Sequence, residues 1–351
     1  MSKPLTDTGH LLEAITQFLR RYVRMTDDQA YTVAAWSLQT WVCNKFTVTP
    51  YLAVMSPVKR SGKTTLLNCL ANVTCEGDVL FDPTSAALYR MIEMSGEKNG
   101  GPTLLWDELD FTRPSRPIIA ILNSGYKKGG FVPRVVTKNK VQFVEKFYTY
   151  CPKAFGSIGQ VLPPTQLDRT IQIHLDRAMK NETVTEYDEE EVSKFVADLR
   201  WALIPWSDSW ERPAVKPLRP DSLNARQKEL WLPLLEIAAT AGGQWTRRLM
   251  GAAERLSAES DCVESDETIN LLEDLRAAIG TSERVFSRTL LYDLQGLDEP
   301  AYSGEATNSM RMLALFLSSN FRIHPKEIRI GQRTGRGYYT ADFKEAFRRY
   351  L

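Results

Sequence analysis

The sequence has few of the residues that build metal sites and disulfide frameworks. Of its 351 residues, five are cysteine and three are histidine. The cysteines are odd in number, form no Cys-x-x-Cys pair and have no histidine close in sequence. We therefore expect neither a structural zinc site nor a disulfide-stabilised fold, and a reducing cytoplasm fits this composition best.

The sequence also lacks long apolar runs and has almost no net charge. The first ten residues contain no apolar stretch of the kind found in signal peptides, and no run approaches the roughly 18 apolar residues of a membrane span. The formal net charge is only +1, so any surface that attracts nucleic acid must be local. We expect a soluble, cytoplasmic protein that has no membrane partner.

Short apolar segments alternate with helical stretches in residues 47–178. Strands are predicted for four segments, at residues 51–55, 103–106, 154–158 and 171–175. Helices are predicted between them, at residues 62–73, 85–94 and 116–126. This order is typical of an α/β sheet with crossover helices. Alternating apolar residues in the segment 129–147 predict a β-hairpin.

Three helical regions are predicted around this α/β core. Residues 1–46 form either a lid packed on the core or an independent binding module, and the lid is favoured. Residues 179–266 form a helical lid or linker region, with a loop at 264–267. Residues 267–351 contain helices followed by a two-stranded ribbon, which predicts a winged-helix-like domain.

A candidate phosphate-binding loop follows the first predicted strand. Gly62, Lys63 and Thr64 occupy the last three positions of a Walker A motif, whose backbone N–H groups cradle phosphates while the lysine reaches the β/γ-phosphates and the hydroxyl binds Mg²⁺. Pro57 stands where the motif has its first glycine. The candidate nucleotide-binding residues are Ser56, Pro57, Lys59, Arg60, Ser61, Gly62, Lys63, Thr64 and Thr65.

The second half of the predicted site is an acidic pair at the end of a later strand. Asp107 and Glu108 follow Leu104-Leu105-Trp106. Asp107 would hold Mg²⁺ together with Thr64, and Glu108 would polarise the attacking water. Lys63 and Glu108 are therefore the candidate catalytic residues, and ATP and Mg²⁺ are the expected ligands.

Two further polar positions are candidates for completing the site. Ser157 or Gln160, near the end of the strand at 154–158, would sense the γ-phosphate; a simple strand-to-loop junction is an equally good interpretation. Arg169 would act as an arginine finger in a neighbouring subunit's site, with Arg177 as the second choice. The alternative for Arg169 is a surface pair with Asp168.

These motifs resemble one family. The segments SPVKRSGKTTLL, TLLWDELD, PKAFGSIGQVLPPTQLDRTIQIHL and IRIGQRTGRGYYTADFKEAF are similar to the DUF3631 group of P-loop ATPases from mobile-element and phage replication proteins. The resemblance covers residues 36–351. It implies an AAA+/helicase-like P-loop ATPase core, assembled into a ring such as a hexamer, that acts in DNA metabolism.

Two basic segments predict contacts with nucleic acid. The segment 112–146 contains eight basic residues and a single acidic one. Phe131 or Tyr126 would stack on bases. A solvated hairpin face is the alternative interpretation for any single lysine. The glycine-rich ribbon near the C-terminus would lie along a phosphate backbone. The candidate residues are Arg134, Lys138, Lys140, Arg329, Arg333 and Arg336.

The leading hypothesis is an ATP-hydrolysing, oligomeric motor that moves on or remodels single- or double-stranded DNA. Three alternatives remain open. One is a nucleotide-switched, winged-helix regulator that binds DNA without moving along it. Another is an NTPase of an antiviral or mobile-element conflict system that acts on a protein partner. The third is a small-molecule kinase, in which the appended modules have no role.

Overall fold

The computed structural model describes the chain in two compact units. The described residues are 7–56, 59–94, 101–109, 114–138, 140–158, 161–178, 182, 184–298, 300–302, 304–321 and 323–351. The units comprise Met1–Ala258 and Glu259–Leu351. Among the described helices, none combines the length and the hydropathy that a membrane crossing requires.

The first unit contains most of the helices and two of the three sheets. Its helices are α1 (Thr8–Tyr22), α2 (Asp27–Trp41), α3 (Lys63–Val73), α4 (Ser85–Met94), α5 (Arg116–Ser124), α6 (Pro164–Leu167), α7 (Glu189–Ser209), α8 (Ala225–Ala241) and α9 (Gly243–Ile279), which contains the boundary between the units. Its strands are β1 (Tyr51–Ser56), β2 (Gly77–Phe81), β3 (Thr103–Asp107), β4 (Phe131–Lys138), β5 (Val141–Tyr148), β6 (Lys153–Ile158) and β7 (Thr170–His174).

The main sheet has five strands in the order β2-β3-β6-β1-β7, and every neighbouring pair is parallel. The predicted α/β class is therefore confirmed. Strands β1 and β3 are buried along their whole length, which explains their continuous apolar sequences. Strand β2 was not predicted, because this edge strand is only partly buried and its five residues have no strong apolar pattern.

Helices cover this sheet in two separate groups. Helix α3 packs against α1, α2 and α7, whereas α4 contacts α5, and α5 contacts α6. The N-terminal helices, the sheet, α7, α8 and the first part of α9 contribute to one hydrophobic core. Residues of the predicted N-terminal module are thus part of the body that carries the sheet.

A two-stranded antiparallel hairpin, β4-β5, lies between β3 and β6 in the sequence and forms a separate sheet. It extends from the amino end of the main sheet, where Thr149 N donates to Gly130 O at 3.1 Å, and packs against α4 and α5. The hairpin predicted in this segment is confirmed.

The second unit is built around a three-stranded antiparallel sheet in the order β8-β10-β9. Its elements after α9 are β8 (Arg284–Phe286), α10 (Ser287–Gln295), α11 (Met310–Phe321), β9 (Lys326–Ile330), β10 (Arg333–Tyr339) and α12 (Thr340–Tyr350). The unit has its own hydrophobic core, to which Leu290, Leu317 and Phe343 contribute. The loop predicted at 264–267 is wrong: these residues lie inside α9, because no proline interrupts the helix and glutamate is a good helix former.

Candidate functional site

The β1–α3 loop, residues 57–62, connects the carboxyl end of β1 to the first turn of α3. Its described residues include two left-handed positions, Arg60 with φ of 64° and Gly62 with φ of 87°. A left-handed residue immediately before α3 turns the chain sharply into the helix. Pro57, the atypical position of the predicted motif, lies outside the described residues.

Lys63, the first residue of α3, points back to the end of β1. Its Nζ donates a hydrogen bond to Ser56 Oγ at 2.5 Å. Ser56 is buried, whereas Lys59, Arg60 and Thr64 are exposed around the loop. The ammonium group is therefore held at the mouth of the loop, beside the N-terminus of α3.

The N-terminus of α3 offers backbone donors to an anion. Its N-cap residue is Gly62, which has no side chain to accept a hydrogen bond from the first turn, and the first turn carries no acidic residue. The unsatisfied N–H groups and the helix dipole together favour negative charge at this point. Ser61 is buried, and Thr65 is partly buried in the first turn.

Asp107 lies at the end of β3, on the face of the sheet that α3 covers. Its side chain is 3% exposed. One carboxylate oxygen, Oδ1, accepts a hydrogen bond from Glu108 N at 2.9 Å. The other, Oδ2, is buried and has no hydrogen-bond partner among the residues that the structure describes. A buried carboxylate oxygen without a partner is costly unless a cation or a donor completes it.

Gly156 of β6 makes the space that Asp107 occupies. A β-carbon at this position would lie 2.8 Å from Asp107 Oδ1 and 3.0 Å from Leu67 Cδ1. The sequence contained a signal for this role, because a glycine inside a buried strand often marks the close approach of another group. We did not predict it.

Glu108 has the opposite environment. Its side chain is exposed, and its backbone has φ of 56°, a left-handed conformation that non-glycine residues rarely adopt. The turn at Glu108 directs consecutive carboxylates differently. Asp107 is fixed in the interior, while Glu108 is presented to solvent at the same end of the sheet.

The residues present fit a magnesium ion. Hydroxyl and carboxylate oxygens are the ligands that Mg²⁺ accepts, and the buried Oδ2 of Asp107 has no hydrogen-bond partner within the described part of the chain. Thr64 supplies an exposed hydroxyl in the first turn of α3, which packs against β3. Asp107 and Thr64 would therefore hold the ion.

The structure does not bring Ser157 to this face of the sheet. Val54 pairs with Gly156 and Met55 with Ser157. Because side chains alternate along a strand, Ser157 points to the face opposite that of Gly156 and Asp107. The alternative sensor, Gln160, lies outside the described residues.

The two candidate arginines lie at opposite ends of β7. The carbonyl of Arg169 accepts from Tyr51 N at 2.9 Å, which places Arg169 at the amino end of β1, and its guanidinium donates to Thr165 O. β1 has six residues, so its two ends lie about 16 Å apart. Arg169 therefore lies far from the β1–α3 loop of its own chain, whereas Arg177 follows β7 at the carboxyl end, near that loop.

The connection between α1 and α2 also borders the loop, which the sequence did not indicate. A β-carbon on Gly62 would lie 3.3 Å from Val23 Cγ1. Arg24, the next residue, forms ion pairs with Asp176 at 3.2 Å and Glu182 at 3.4 Å. The N-terminal helices thus form one wall of the candidate site.

None of the described cysteines offers a reactive thiol. All of them are buried: Cys43, Cys69, Cys75 and Cys151. Burial raises the pKa of the Cys69 thiol, in α3, to about 12. It also raises the pKa of Cys43 and of Cys75 to about 12. These thiols stay protonated at neutral pH and cannot act as nucleophiles.

Much of the predicted basic surface near the hairpin is engaged within the chain. Arg134 donates to Tyr89 Oη through Nε at 3.2 Å and Nη2 at 3.0 Å. Similar internal contacts involve three lysines: Lys127 pairs with Glu229, Lys128 donates to Asn44 O, and Lys146 Nζ lies 4.6 Å from the centre of the Phe131 ring. Tyr126 is 1% exposed and cannot stack on a base.

The tip of the hairpin and the C-terminal ribbon keep exposed cations. Lys140 is exposed in the β4–β5 turn, with φ of 66°, while the side chain of Lys138 lies outside the described residues. In the ribbon β9-β10, Arg333 and Arg336 are exposed, and Arg329 Nε donates to Gly331 O at 3.2 Å. These positions present positive charge to solvent.

The chain has a relative among curated proteins. The chain is 29% identical over 180 residues to an "uncharacterized 28.9 kDa protein in xis 5′region" of Saccharopolyspora erythraea. The alignment covers 50% of this chain and 67% of that protein.

The similar solved structures have little sequence in common with the chain. The A form apo structure of the NrS-1 C-terminal region, CTR(305-718), gives a TM-score of 0.43 at 8% identity, over 93% of this chain and 75% of that one. A second structure of the same region gives 0.40 at 10% identity, over 96% and 77%.

A family model extends from His174, the last residue of β7, almost to the C-terminus. It is described as a protein of unknown function, DUF3631, and it matches residues 174–350. The β1–α3 loop and the acidic pair precede this segment. Because the match covers just over half of the chain, the protein belongs to the DUF3631 family.

Proposed function

We propose that this protein is an ATP-hydrolysing, oligomeric motor that acts on DNA. The observation that carries the proposal is the Oδ2 of Asp107, which is buried on the face of the sheet that α3 covers and has no hydrogen-bond partner among the described residues. A phosphate group would accept hydrogen bonds from the backbone N–H groups at the N-terminus of α3, and a cation would bind the carboxylate of Asp107. The parallel order β2-β3-β6-β1-β7 supports it, because the loops of such sheets bind ligands at the carboxyl ends of the strands.

Each residue of the site has a separate role in this proposal. Lys63 leaves Ser56 and binds the β/γ-phosphates, and the backbone of the β1–α3 loop donates to their oxygens. Mg²⁺, held by Thr64 and Asp107, would neutralise charge on the phosphates. Glu108, which is exposed beside Asp107, orients and polarises the attacking water.

Arg169 supports an oligomer. It lies at the amino end of the sheet, and the loop lies at the carboxyl end, so it would act only in the site of a neighbouring subunit. There it would stabilise charge on the transferring phosphoryl group, as arginine fingers do. Arg177 would instead serve the site of its own chain.

DNA is the proposed partner because exposed cations lie at two places. Lys140 marks the tip of the hairpin, and the ribbon β9-β10 carries Arg329, Arg333 and Arg336. The helix–strand–helix–helix–strand–strand order of the second unit is that of a winged helix, whose wing contacts the phosphate backbone. The name of the curated relative, which refers to the xis 5′ region, fits a role in a mobile element or phage.

A second function is favoured by the outer face of the hairpin. Its exposed side chains are largely apolar and include Val135 and Val144, which are 64% and 73% exposed. Leu315 on α11 is 59% exposed as well. An ATPase that switches or remodels a protein partner would use such surfaces.

ATP hydrolysis with and without single-stranded and duplex DNA tests the proposal. We expect DNA to stimulate hydrolysis, and we expect Lys63→Ala and Glu108→Gln to abolish it. Lys63→Ala removes the phosphate contact, whereas Glu108→Gln leaves nucleotide binding intact. Binding of a fluorescent ATP analogue separates the two effects.

The matched control is Lys216→Ala, which removes an exposed lysine that lies outside the candidate site and should retain most activity. If the rate of ATP hydrolysis does not change with DNA and the protein stays monomeric with ATP, the proposed motor is contradicted. Stimulation by a protein from the same genetic element, and not by DNA, would favour the second function.

A further inference from the structure

A cavity of about 460 Å³ opens beside the base of the β4-β5 hairpin. Its size lies in the range of pockets that hold small ligands. Lining residues come from β5, from the end of α4 and from the segment that precedes β3. None of these elements belongs to the candidate ATP site.

The cavity lies at the end of the sheet opposite the β1–α3 loop. Gly101, which lines it, precedes β3, and Tyr150, which also lines it, precedes β6. Asp107 is the last residue of β3, a strand of five residues. At about 3.3 Å per residue, Gly101 and Asp107 are separated by roughly 20 Å. A molecule in the cavity would therefore not contact the phosphate loop.

Aromatic and aliphatic side chains form the wall of the cavity. Phe147, Tyr148, Tyr150 and Ile92 are among the residues that line it. Tyr150 is fixed, because its Oη donates to Cys43 O at 3.0 Å and Phe46 O at 3.1 Å. Tyr148 is 57% exposed, so its ring is open to a flat ligand.

Two lysines stand at the same cavity. Lys128 Nζ donates to Asn44 O at 2.7 Å, and an ammonium group has further N–H donors to offer. Lys146 Nζ lies over the Phe131 ring. The acidic residue of the rim, Glu93, is paired with Arg90 at 3.1 Å. The cavity thus joins aromatic surface to positive charge, which suits a base attached to a phosphate.

We propose that this cavity binds a nucleobase of single-stranded nucleic acid, stacked on Tyr148, with the adjoining phosphate at Lys128 and Lys146. The inference rests on the proposed function, because it names the form of nucleic acid that the motor holds. It places strand binding at the base of the hairpin, in addition to its tip.

Two single strands of about 12 nucleotides, oligodeoxythymidine and an abasic strand of the same length, test the proposal by fluorescence anisotropy without ATP. Tyr148→Ala should weaken binding of oligodeoxythymidine about 5- to 100-fold and leave the abasic strand unchanged, since only the base stacks. Tyr148→Phe keeps the ring and should bind normally. Tyr292→Ala, an exposed tyrosine in the other unit, is the matched control.

A strand that contains 5-iodouracil gives a test that needs no variant. Irradiation should link the base to Tyr148 or its neighbours in β5, as mapped by peptide mass spectrometry. Equal binding of the two strands by Tyr148→Ala and the unaltered protein, or links confined to other surfaces, would overturn the proposal. Displacement of the strand by thymidine monophosphate at similar concentrations would also overturn it, because a free nucleotide would then be the ligand.

The failure of this proposal differs from that of the proposed function. If DNA-stimulated hydrolysis persists while Tyr148→Ala binds both strands normally, the cavity assignment fails and the motor stands. If hydrolysis ignores DNA but the preference for bases depends on Tyr148, the cavity binds bases and the motor fails.

Discussion

At the carboxyl end of β3, two consecutive carboxylates have opposite environments. Asp107 is buried against Gly156, and its Oδ1 accepts a hydrogen bond from Glu108 N. Glu108 is exposed and adopts a left-handed backbone conformation. A metal ligand needs fixed geometry and a water-polarising group needs access, so this division of environments matches the two proposed roles.

Gly156→Ala should impair the site through Asp107. The new methyl group would lie 2.8 Å from Oδ1 and would displace the carboxylate. We expect overpacking to cost about 1–3 kcal/mol of unfolding free energy, and Mg²⁺-dependent nucleotide binding to weaken about 10- to 100-fold. Thermal unfolding and a titration of nucleotide binding against Mg²⁺ measure both.

The control for this change is Gly243→Ala. A β-carbon at Gly243 meets no atom within 4 Å, so stability should stay the same or rise by about 0.4–1 kcal/mol. Normal Mg²⁺ dependence in Gly156→Ala would show that Asp107 does not hold the ion.

Comparing Glu108→Gly with Glu108→Ala should separate the stability cost of the left-handed backbone from the loss of the carboxylate. Both remove the carboxylate, so both should lose hydrolysis. Only glycine accepts the φ of 56° without a steric cost, and we expect the glycine variant to be about 1 kcal/mol more stable than the alanine variant. Chemical denaturation of the two proteins measures this difference, and equal stabilities would mean that the turn relaxes when glutamate is absent.

At this scale the sequence indicates candidate residues but not their environments. Lys63, Asp107 and Glu108 follow from motif positions, because strand, loop and helix occur in the expected order. The internal partners of Arg134 and Lys127 could not be predicted, because Tyr89 and Glu229 are distant in sequence and meet them only in the fold. The space left by Gly156 also depends on the register of β3 and β6.

Among the elements, helix α2 is positioned by its first turn. Thr26 and Gln29 form a capping box, and Gln29 Nε2 also donates to His174 O at 2.6 Å, at the end of β7. The connection that borders the β1–α3 loop is thereby attached to the main sheet. The cap contributes to the shape of the site as well as to helix stability.

Thr26→Ala should lower the unfolding free energy by about 1 kcal/mol, because the backbone N–H of Gln29 loses its acceptor. Ser115→Ala is the matched control, since Ser115 caps α5 without a side-chain hydrogen bond. Urea denaturation of both variants measures the effect. A similar loss in the two proteins would show that the capping box of α2 adds no stability of its own.

Elements with strong apolar patterns were predicted, and weakly patterned ones were not. The strands corresponding to β1, β3, β6 and β7 are confirmed. β1 and β3 have the nearly continuous apolar sequences that burial on both faces requires, whereas the edge strand β7 alternates Ile171 and Ile173 with polar residues. The edge strand β2 lacks that requirement. The loop predicted at 264–267 is wrong because its polar residues are compatible with a helix, and polarity alone does not end one.

For the whole molecule, the position of Arg169 predicts complementation between subunits. Arg169→Ala retains its own phosphate loop, and Lys63→Ala retains the arginine. Each variant alone should be inactive, whereas a mixture should recover hydrolysis at interfaces where Lys63→Ala supplies the arginine to an intact site. Hydrolysis measured at a fixed total concentration and varied ratio tests this.

A mixture of Lys63→Ala with Glu108→Gln is the control and should stay inactive, because every site in it lacks a group of its own. Full activity of Arg169→Ala alone in an assembled oligomer would mean that the arginine finger is wrongly assigned, and Arg177 would be the next residue to test.

The distance between Arg169 and the β1–α3 loop of the same chain has a kinetic consequence. A single chain at high dilution would hold ATP without the group that speeds its hydrolysis. The rate per chain would then rise with protein concentration until assembly is complete. Expression level and local crowding on a DNA strand would set the turnover, so the protein would consume ATP only where enough copies have gathered.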